Sequence, residues 1–195
     1  MKLKYHGLLA LVALGLLSAC VTKPASETRY YMLTAQPAAD SKTMRDKPVL
    51  EIAALTLPQY LERPQIVTRP TEQRLEIHEH SRWGDNLRKN LERVLAGNLS
   101  VSLGSTQVLV VPHLLPEVDY RLMLEIQRFE RVPGNKVVLH AQWTLFKAGQ
   151  VRPVAADKVQ LSRELPAGSG MDEVVAGMSV LFGDLSERIA ATLTR

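Results

Sequence analysis

The chain has 195 residues, a formal net charge of +4, 5% aromatic residues and a single cysteine. That length suits one domain with a full hydrophobic core. The modest charge and sparse aromatics argue against a nucleic-acid surface, which needs a basic field and stacking platforms, and a lone cysteine excludes a disulfide framework.

Lys2 and Lys4 precede an apolar run from Leu8 to Leu17, and the small residues Ser18 and Ala19 stand before Cys20. A basic start, a short apolar core and small residues at the cut site are the parts of a secretory signal. The run is about ten residues long, roughly half of what a helix needs to cross a bilayer. Leu17-Ser18-Ala19-Cys20 resembles the bacterial lipobox. That resemblance implies a diacylglyceryl group on the Cys20 sulfur and an N-acyl chain on its amino group, with no other cofactor. One acyl chain holds a protein to a membrane only marginally, at about 0.8 kcal/mol per buried methylene, whereas two or three hold it firmly. Val21 stands where an Asp would retain such a protein in the inner membrane, so the same resemblance implies outer-membrane anchoring with the domain facing the periplasm. Removing residues 1–19 leaves 176 of the 195 and lowers the formal charge from +4 to +2. The expected organisation is a signal peptide over 1–19, a lipidated tether over 20–28, and one domain over 29–195.

Arg29 to Thr34 is short, aromatic and apolar and reads as a first strand. Residues 36–47 are rich in Ala, Ser, Pro, Asp and Lys and read as a surface loop. Val49 to Leu55 is nearly continuous apolar, as in a strand buried on both faces. Pro58 and Pro64 then forbid a continuous helix or central strand, so Leu57 to Arg69 should be an irregular crossing that ends in a short strand, Ile66 to Arg69. Gln73 to Glu79 alternates, with Leu75 and Ile77 on one face and Arg74, Glu76 and His78 on a polar, solvent-facing one. Ser81 can cap a helix from Arg82 to Leu99, with Trp83, Leu87, Leu91, Val94, Leu95 and Leu99 on one stripe.

Gln107 to Val111 is another short buried strand. Tyr120, Leu122, Leu124 and Ile126 share a face, but Phe129 has the opposite parity, which predicts a bulge near Arg128. Pro133-Gly134-Asn135 is a turn, and Val137, Leu139, Ala141, Trp143 and Leu145 alternate cleanly after it. Ala148-Gly149 turns the chain into a weaker strand, Val151 to Ser162. The last helix spans Met171 to Thr192 and should turn Met171, Val174, Val175, Met178, Leu181, Phe182, Leu185 and Ile189 inward. These elements sum to an α/β domain with a mixed, mostly antiparallel sheet and two main amphipathic helices.

Candidate chemistry is sparse. Glu76, His78 and His80 share one strand face at a metal-ligand spacing, but no Cys or second His cluster completes a site, and an exposed polar face is the simpler reading. Gly168-Ser169-Gly170 lacks the context of a nucleophile elbow and reads as a hinge and helix cap. No Gly-rich loop precedes a Lys, which argues against ATP hydrolysis. In Leu57 to Val67, Leu57, Leu61 and Ile66 read as core, while Tyr60, Arg63 and Gln65 read equally as a partner-docking surface, since aromatic and Arg side chains often anchor interfaces.

The tyrosine pair before Leu33, the run Leu57-Pro58-Gln59-Tyr60-Leu61-Glu62-Arg63-Pro64-Gln65-Ile66-Val67, Trp83 followed by Leu87, Asn90 and Leu91, and Phe129-Glu130 late in a long strand together resemble one family. It is the ABC-type transport auxiliary lipoproteins, in their PqiC-like branch. The resemblance implies a single three-layer α/β domain of the anticodon-binding-like or TolB amino-terminal type. It also implies a non-catalytic role beside an MCE-domain protein and an inner-membrane partner in moving phospholipid between the envelope membranes, with self-association. Two other functions stay open: a stand-alone lipid carrier, which needs a cavity lined by Met and Leu of the sheet and last helix, and a membrane-tethered hydrolase, which needs a polar cleft with perturbed groups.

Overall fold

The structure, a computed structural model of the chain, describes residues 27–36, 48–104, 107–111 and 117–193. Cys20 and the signal-like segment lie outside the described residues. In chain order the elements are β1 (Arg29–Tyr31), β2 (Leu50–Thr56), a 3-10 turn (Gln59–Leu61), β3 (Gln65–Thr71), β4 (Arg74–Trp83), α1 (Leu87–Leu103), β5 (Val108–Val110), β6 (Tyr120–Val132), β7 (Lys136–Lys147), β8 (Pro153–Glu164) and α2 (Met171–Leu193).

The main sheet has the order β5-β2-β6-β7-β8, and a smaller one the order β1-β4-β3. The long β6–β7 and β7–β8 ladders are antiparallel, while β2 runs parallel to both of its neighbours. Both helices pack on the main sheet and on each other, α1 over β2 and β5, α2 over β6, β7 and β8. On α2, Val174, Val175, Met178, Leu181, Phe182, Leu185 and Ile189 are buried as their spacing predicts, and Met171 is half-buried. They join Leu122, Leu139, Trp143 and Leu145 in one continuous hydrophobic core.

The predicted bulge is present, as a register shift in the β6–β7 ladder between Ile126 and Arg128. A strand alternates its faces strictly, so an extra residue exchanges them. Leu122, Leu124 and Ile126 before the bulge and Phe129 after it are all buried. The Phe129 ring reaches Phe182 of α2, with centroids 6.0 Å apart. The same exchange turns Arg128 and Glu130 to the opposite side of the sheet. There β3 lies against the far half of β6, beyond the point where β2 ends.

The start of the first helix is a correction. Ser81 does not cap it; β4 continues through Ser81 and Arg82 to Trp83. The Trp83 N–H donates to the Pro64 carbonyl at 2.7 Å, and Trp83 stands beside Tyr31 in the parallel β1–β4 ladder. The cap is Asn86, whose Oδ1 accepts from the Lys89 N–H at 3.2 Å. Trp83 belongs to the core as expected, but from a strand end. Helix α1 also runs past Leu99 to Leu103, where Gly104 takes the left-handed conformation (φ +57°) that closes a helix without a Cβ penalty. The face assignment of β4 is likewise corrected: Leu75 and Ile77 are 37% and 40% exposed, whereas His78 is half-buried, with Nε2 2.8 Å from Thr68 Oγ1.

The first strand ends at Tyr31, and residues 32–36 continue as an extended strap in the groove between the helices. Asn90 of α1 accepts from the Leu33 N–H at 2.8 Å and donates back to the Leu33 carbonyl at 3.1 Å. Asn98 accepts from the Gln36 N–H at 2.8 Å, and Ser179 of α2 from the Thr34 N–H at 3.2 Å. Buried polar side chains on apolar helices are explained by this task, because a buried backbone must find partners.

Candidate partner-docking site

The segment from Leu57 to Val67 owes its shape to its prolines. Pro58 sits at φ −65°, and the next three residues close a 3-10 turn, with the Leu61 N–H donating to the Pro58 carbonyl at 2.9 Å. Leu61 and Ile66 are buried, and Leu57 and Tyr60 pack partly buried on the core. Glu62 pairs with Arg88 of α1, Pro64 accepts from Trp83, and the Gln65 side-chain amide donates to Glu79 of β4 at 3.0 Å. The segment is thus fastened to a helix and to a strand, and the core reading holds for Leu61 and Ile66, with Leu57 packed against them. Arg63 is half-buried and makes no hydrogen bond or ion pair among the described residues.

Tyr60 points elsewhere than a free docking residue would. Its hydroxyl donates to Glu130 Oε2 at 2.5 Å. The Glu130 carboxylate, 0% exposed, also accepts from Arg69 Nε at 2.7 Å, Arg128 Nε at 3.1 Å and the Phe129 N–H at 2.9 Å. Arg69 lies over the Tyr60 ring, 5.6 Å from its centroid, and Glu72 at the β3–β4 turn reaches Arg128 at 3.5 Å. Burial alone raises a carboxyl pKa, yet the donors from Tyr60, Arg69 and Arg128 outweigh it and hold Glu130 below the ordinary carboxylate range. Burial, then Glu130, pushes the Tyr60 hydroxyl well above its usual value, and the bond to Glu130 raises Arg69 further. Every group therefore keeps the form it needs: an anion ringed by donors. The cluster ties the 3-10 turn, the β3–β4 hairpin and β6 together.

A cleft of about 330 Å³ lies beside this cluster, lined among others by Thr68, Arg69, His78, Arg131 and Met171. His140, opposite Arg128 in the ladder, is lowered below its usual pKa by burial and then by Arg128. Glu76, His78 and His80 do not converge, and among the described residues no group of three His, Cys, Asp or Glu could hold a metal ion. Ser169 donates its hydroxyl proton to the Pro166 carbonyl at 2.6 Å, and Glu173 accepts from the Gly170 N–H at 2.8 Å, so this turn caps α2. The Glu130 cluster was not foreseen. Its one sequence signal is the parity break at Phe129, which buries both Phe129 and its neighbour on opposite faces.

Among the described residues no helix is long and apolar enough to cross a membrane. Compared with known proteins, the chain is 23% identical over 181 residues to the intermembrane transport lipoprotein PqiC of Escherichia coli K12, covering 92% of each chain. A crystal structure of protein XCC0632 from Xanthomonas campestris superposes with a TM-score of 0.72 at 17% identity, over 84% of this chain and 93% of that one. A second crystal structure, of an uncharacterized protein, gives 0.71 at 21% identity, over 86% and 99%. These likenesses establish the fold. Residues 31–190 match the family described as the ABC-type transport auxiliary lipoprotein component, and the chain belongs to that family.

Proposed function

We propose that this chain is a non-catalytic lipoprotein subunit of an MCE-type intermembrane phospholipid transport system. It anchors the periplasm-spanning assembly at the outer membrane through acyl chains on Cys20 and so supports membrane integrity. Its partners are an MCE-domain protein of the PqiB type and, through it, an inner-membrane component. The similarity to an intermembrane transport lipoprotein along 92% of both chains carries this reading. The geometry supports a docking role: a proline-locked segment, clamped by Glu62–Arg88 and by the Glu130 cluster, holds Arg63 and Gln65 at the edge of the domain. Pre-ordered groups lose little entropy on binding, which favours affinity. Tyr60 serves as the positioning residue of this surface, because its hydroxyl is engaged by Glu130. The carrier reading is disfavoured by α2, whose Met178, Leu181, Phe182 and Leu185 are at most 2% exposed and belong to the filled core.

The test is capture of the MCE-domain partner by full-length protein from detergent-solubilised envelopes. Arg63→Ala combined with Gln65→Ala should lower capture more than tenfold, as loss of an interface anchor costs about 2 kcal/mol or more. Undiminished capture by the folded double variant removes this surface from the account.

A further inference from the structure

The β1–β4 ladder sets Tyr30 beside Arg82 and Tyr31 beside Trp83. Tyr31 and Trp83 are buried, so Tyr30 and Arg82 face outward. Tyr30 is 68% exposed and Met32, two residues on, 45%. A large amphipathic ring and a thioether this far into water at an edge strand ask for a cover. We propose that Tyr30 and Met32, with Arg82 beside them, form a bilayer-contacting patch that lies on the headgroup region of the membrane holding the anchor. This rests on the reading of Cys20 as acylated.

Chain length supplies the first reason. Nine residue steps separate Cys20 from Arg29, and at roughly 3.3–3.6 Å per step they reach at most about 32 Å. A domain of this size is about 40 Å across. The tether is therefore shorter than the domain is wide, and the β1 edge is the side held nearest the lipid. Chemistry supplies the second. Tyrosine settles at the membrane interface, its ring in the apolar boundary and its hydroxyl in the headgroups. Arg82 suits lipid phosphates, although Glu79 engages it, at 3.1 Å through its carbonyl and 3.9 Å through its carboxylate. Third, a patch this small needs no large affinity of its own. A short tether gives it an effective concentration in the millimolar range at the surface.

The consequence is orientation. Gln65 stands beside Arg82, as Tyr30 does on the other side, and neighbouring strands lie about 4.8 Å apart. A partner held at Arg63 and Gln65 would meet this domain about 10 Å from Tyr30, close to the lipid surface.

The test uses the full-length lipoprotein in vesicles of phosphatidylethanolamine with a minority of phosphatidylglycerol. A small fluorophore is attached at Met32→Cys and, as a control, at Val151→Cys, a position 93% exposed. The Met32 probe should be quenched by aqueous iodide several-fold less than the Val151 probe, and adding Tyr30→Ser should abolish that protection while the circular dichroism stays unchanged. Equal quenching at both positions overturns the patch. Protection that arises only when the MCE-domain protein is added also overturns it and assigns the face to protein. The chain without an introduced cysteine separates the two readings: a maleimide label on Cys20 shows a free thiol and overturns both the anchor and the patch, whereas a blocked Cys20 with an unprotected Met32 probe overturns the patch alone.

Discussion

Replacing Glu130 by Gln keeps the side-chain shape and removes the charge that Arg69 and Arg128 share. The amide offers one oxygen where four donors now converge, and its NH2 group must face a donor, either the Phe129 N–H or an Arg. Breaking a buried pair by removing one partner costs about 3–5 kcal/mol. Arg69 and Arg128 retain 16% and 25% side-chain exposure, so water reaches both in part and the lower end applies, about 3 kcal/mol. For a domain of this length that corresponds to a Tm lower by about 6–12 °C. The pH dependence gives an independent check. Glu130 is held below its ordinary pKa, so it binds fewer protons folded than unfolded, and its stabilisation is complete above about pH 4.3 and fades as pH falls through the folded value. Urea unfolding of both proteins at neutral and at acid pH measures this. The gap between them should be widest near neutrality and close in acid. A neutral-pH difference below about 1 kcal/mol, the size of a surface pair, or a gap that persists unchanged in acid would refute the role assigned to the cluster.

Tyr60→Phe removes one donor to a charged acceptor and leaves Glu130 three others, so it should cost about 1.5–3 kcal/mol at neutral pH; because that donor helps hold the Glu130 carboxyl down, the loss of stability on acidification should become smaller, as urea unfolding at both pH values would show. Asn90→Ala strands the buried N–H and carbonyl of Leu33; hydrogen exchange should show faster exchange in residues 32–36 while the β6–β7 ladder keeps its protection, and unchanged strap protection would contradict that assignment. Gly177→Ala would place a Cβ 2.8 Å from Leu165 Cδ2 and 3.2 Å from Val137 Cγ2, so overpacking between α2 and the sheet should cost about 1–3 kcal/mol in chemical denaturation. His140, with its pKa lowered, is favoured neutral in the folded state; as pH falls below about 6.5 its contribution to stability should decline, and His140→Gln should flatten the profile in that window.

What the sequence disclosed follows from how local each signal is. The alternation of β7 and the 3.6-residue stripe of α2 are periodic over long spans and were readable at once, as was the parity break at Phe129. The start of α1 was misread because Trp83 stands four residues before Leu87 and so extends the helical stripe backwards in sequence. The hydrogen bond to Pro64 and the pairing with Tyr31 decide otherwise, and both come from distant segments. Gly84-Asp85-Asn86 was the local sign that strand and helix part there. The faces of β4 mislead for a similar reason: Leu75 and Ile77 look like core by hydropathy, but nothing among the described residues buries them, and the cleft lies on the side of Glu76 and His78. The Glu130 cluster joins residues 60, 69, 128 and 130, and no spacing rule links them. Tyr60, Arg63 and Gln65 read as one surface, but the fold engages Tyr60 with Glu130 and Gln65 with Glu79 and leaves Arg63 without a side-chain partner among the described residues.

The most direct test of the account is whether this protein holds an MCE-domain partner at the outer membrane. Full-length protein purified from solubilised envelopes, with co-eluting proteins identified and lipids extracted, decides it. The account predicts an MCE-domain protein of the PqiB type in the eluate, lost with the Arg63→Ala, Gln65→Ala variant, and no stoichiometric phospholipid bound to this chain by itself. A partner-free protein carrying stoichiometric phospholipid would contradict it and establish a carrier instead.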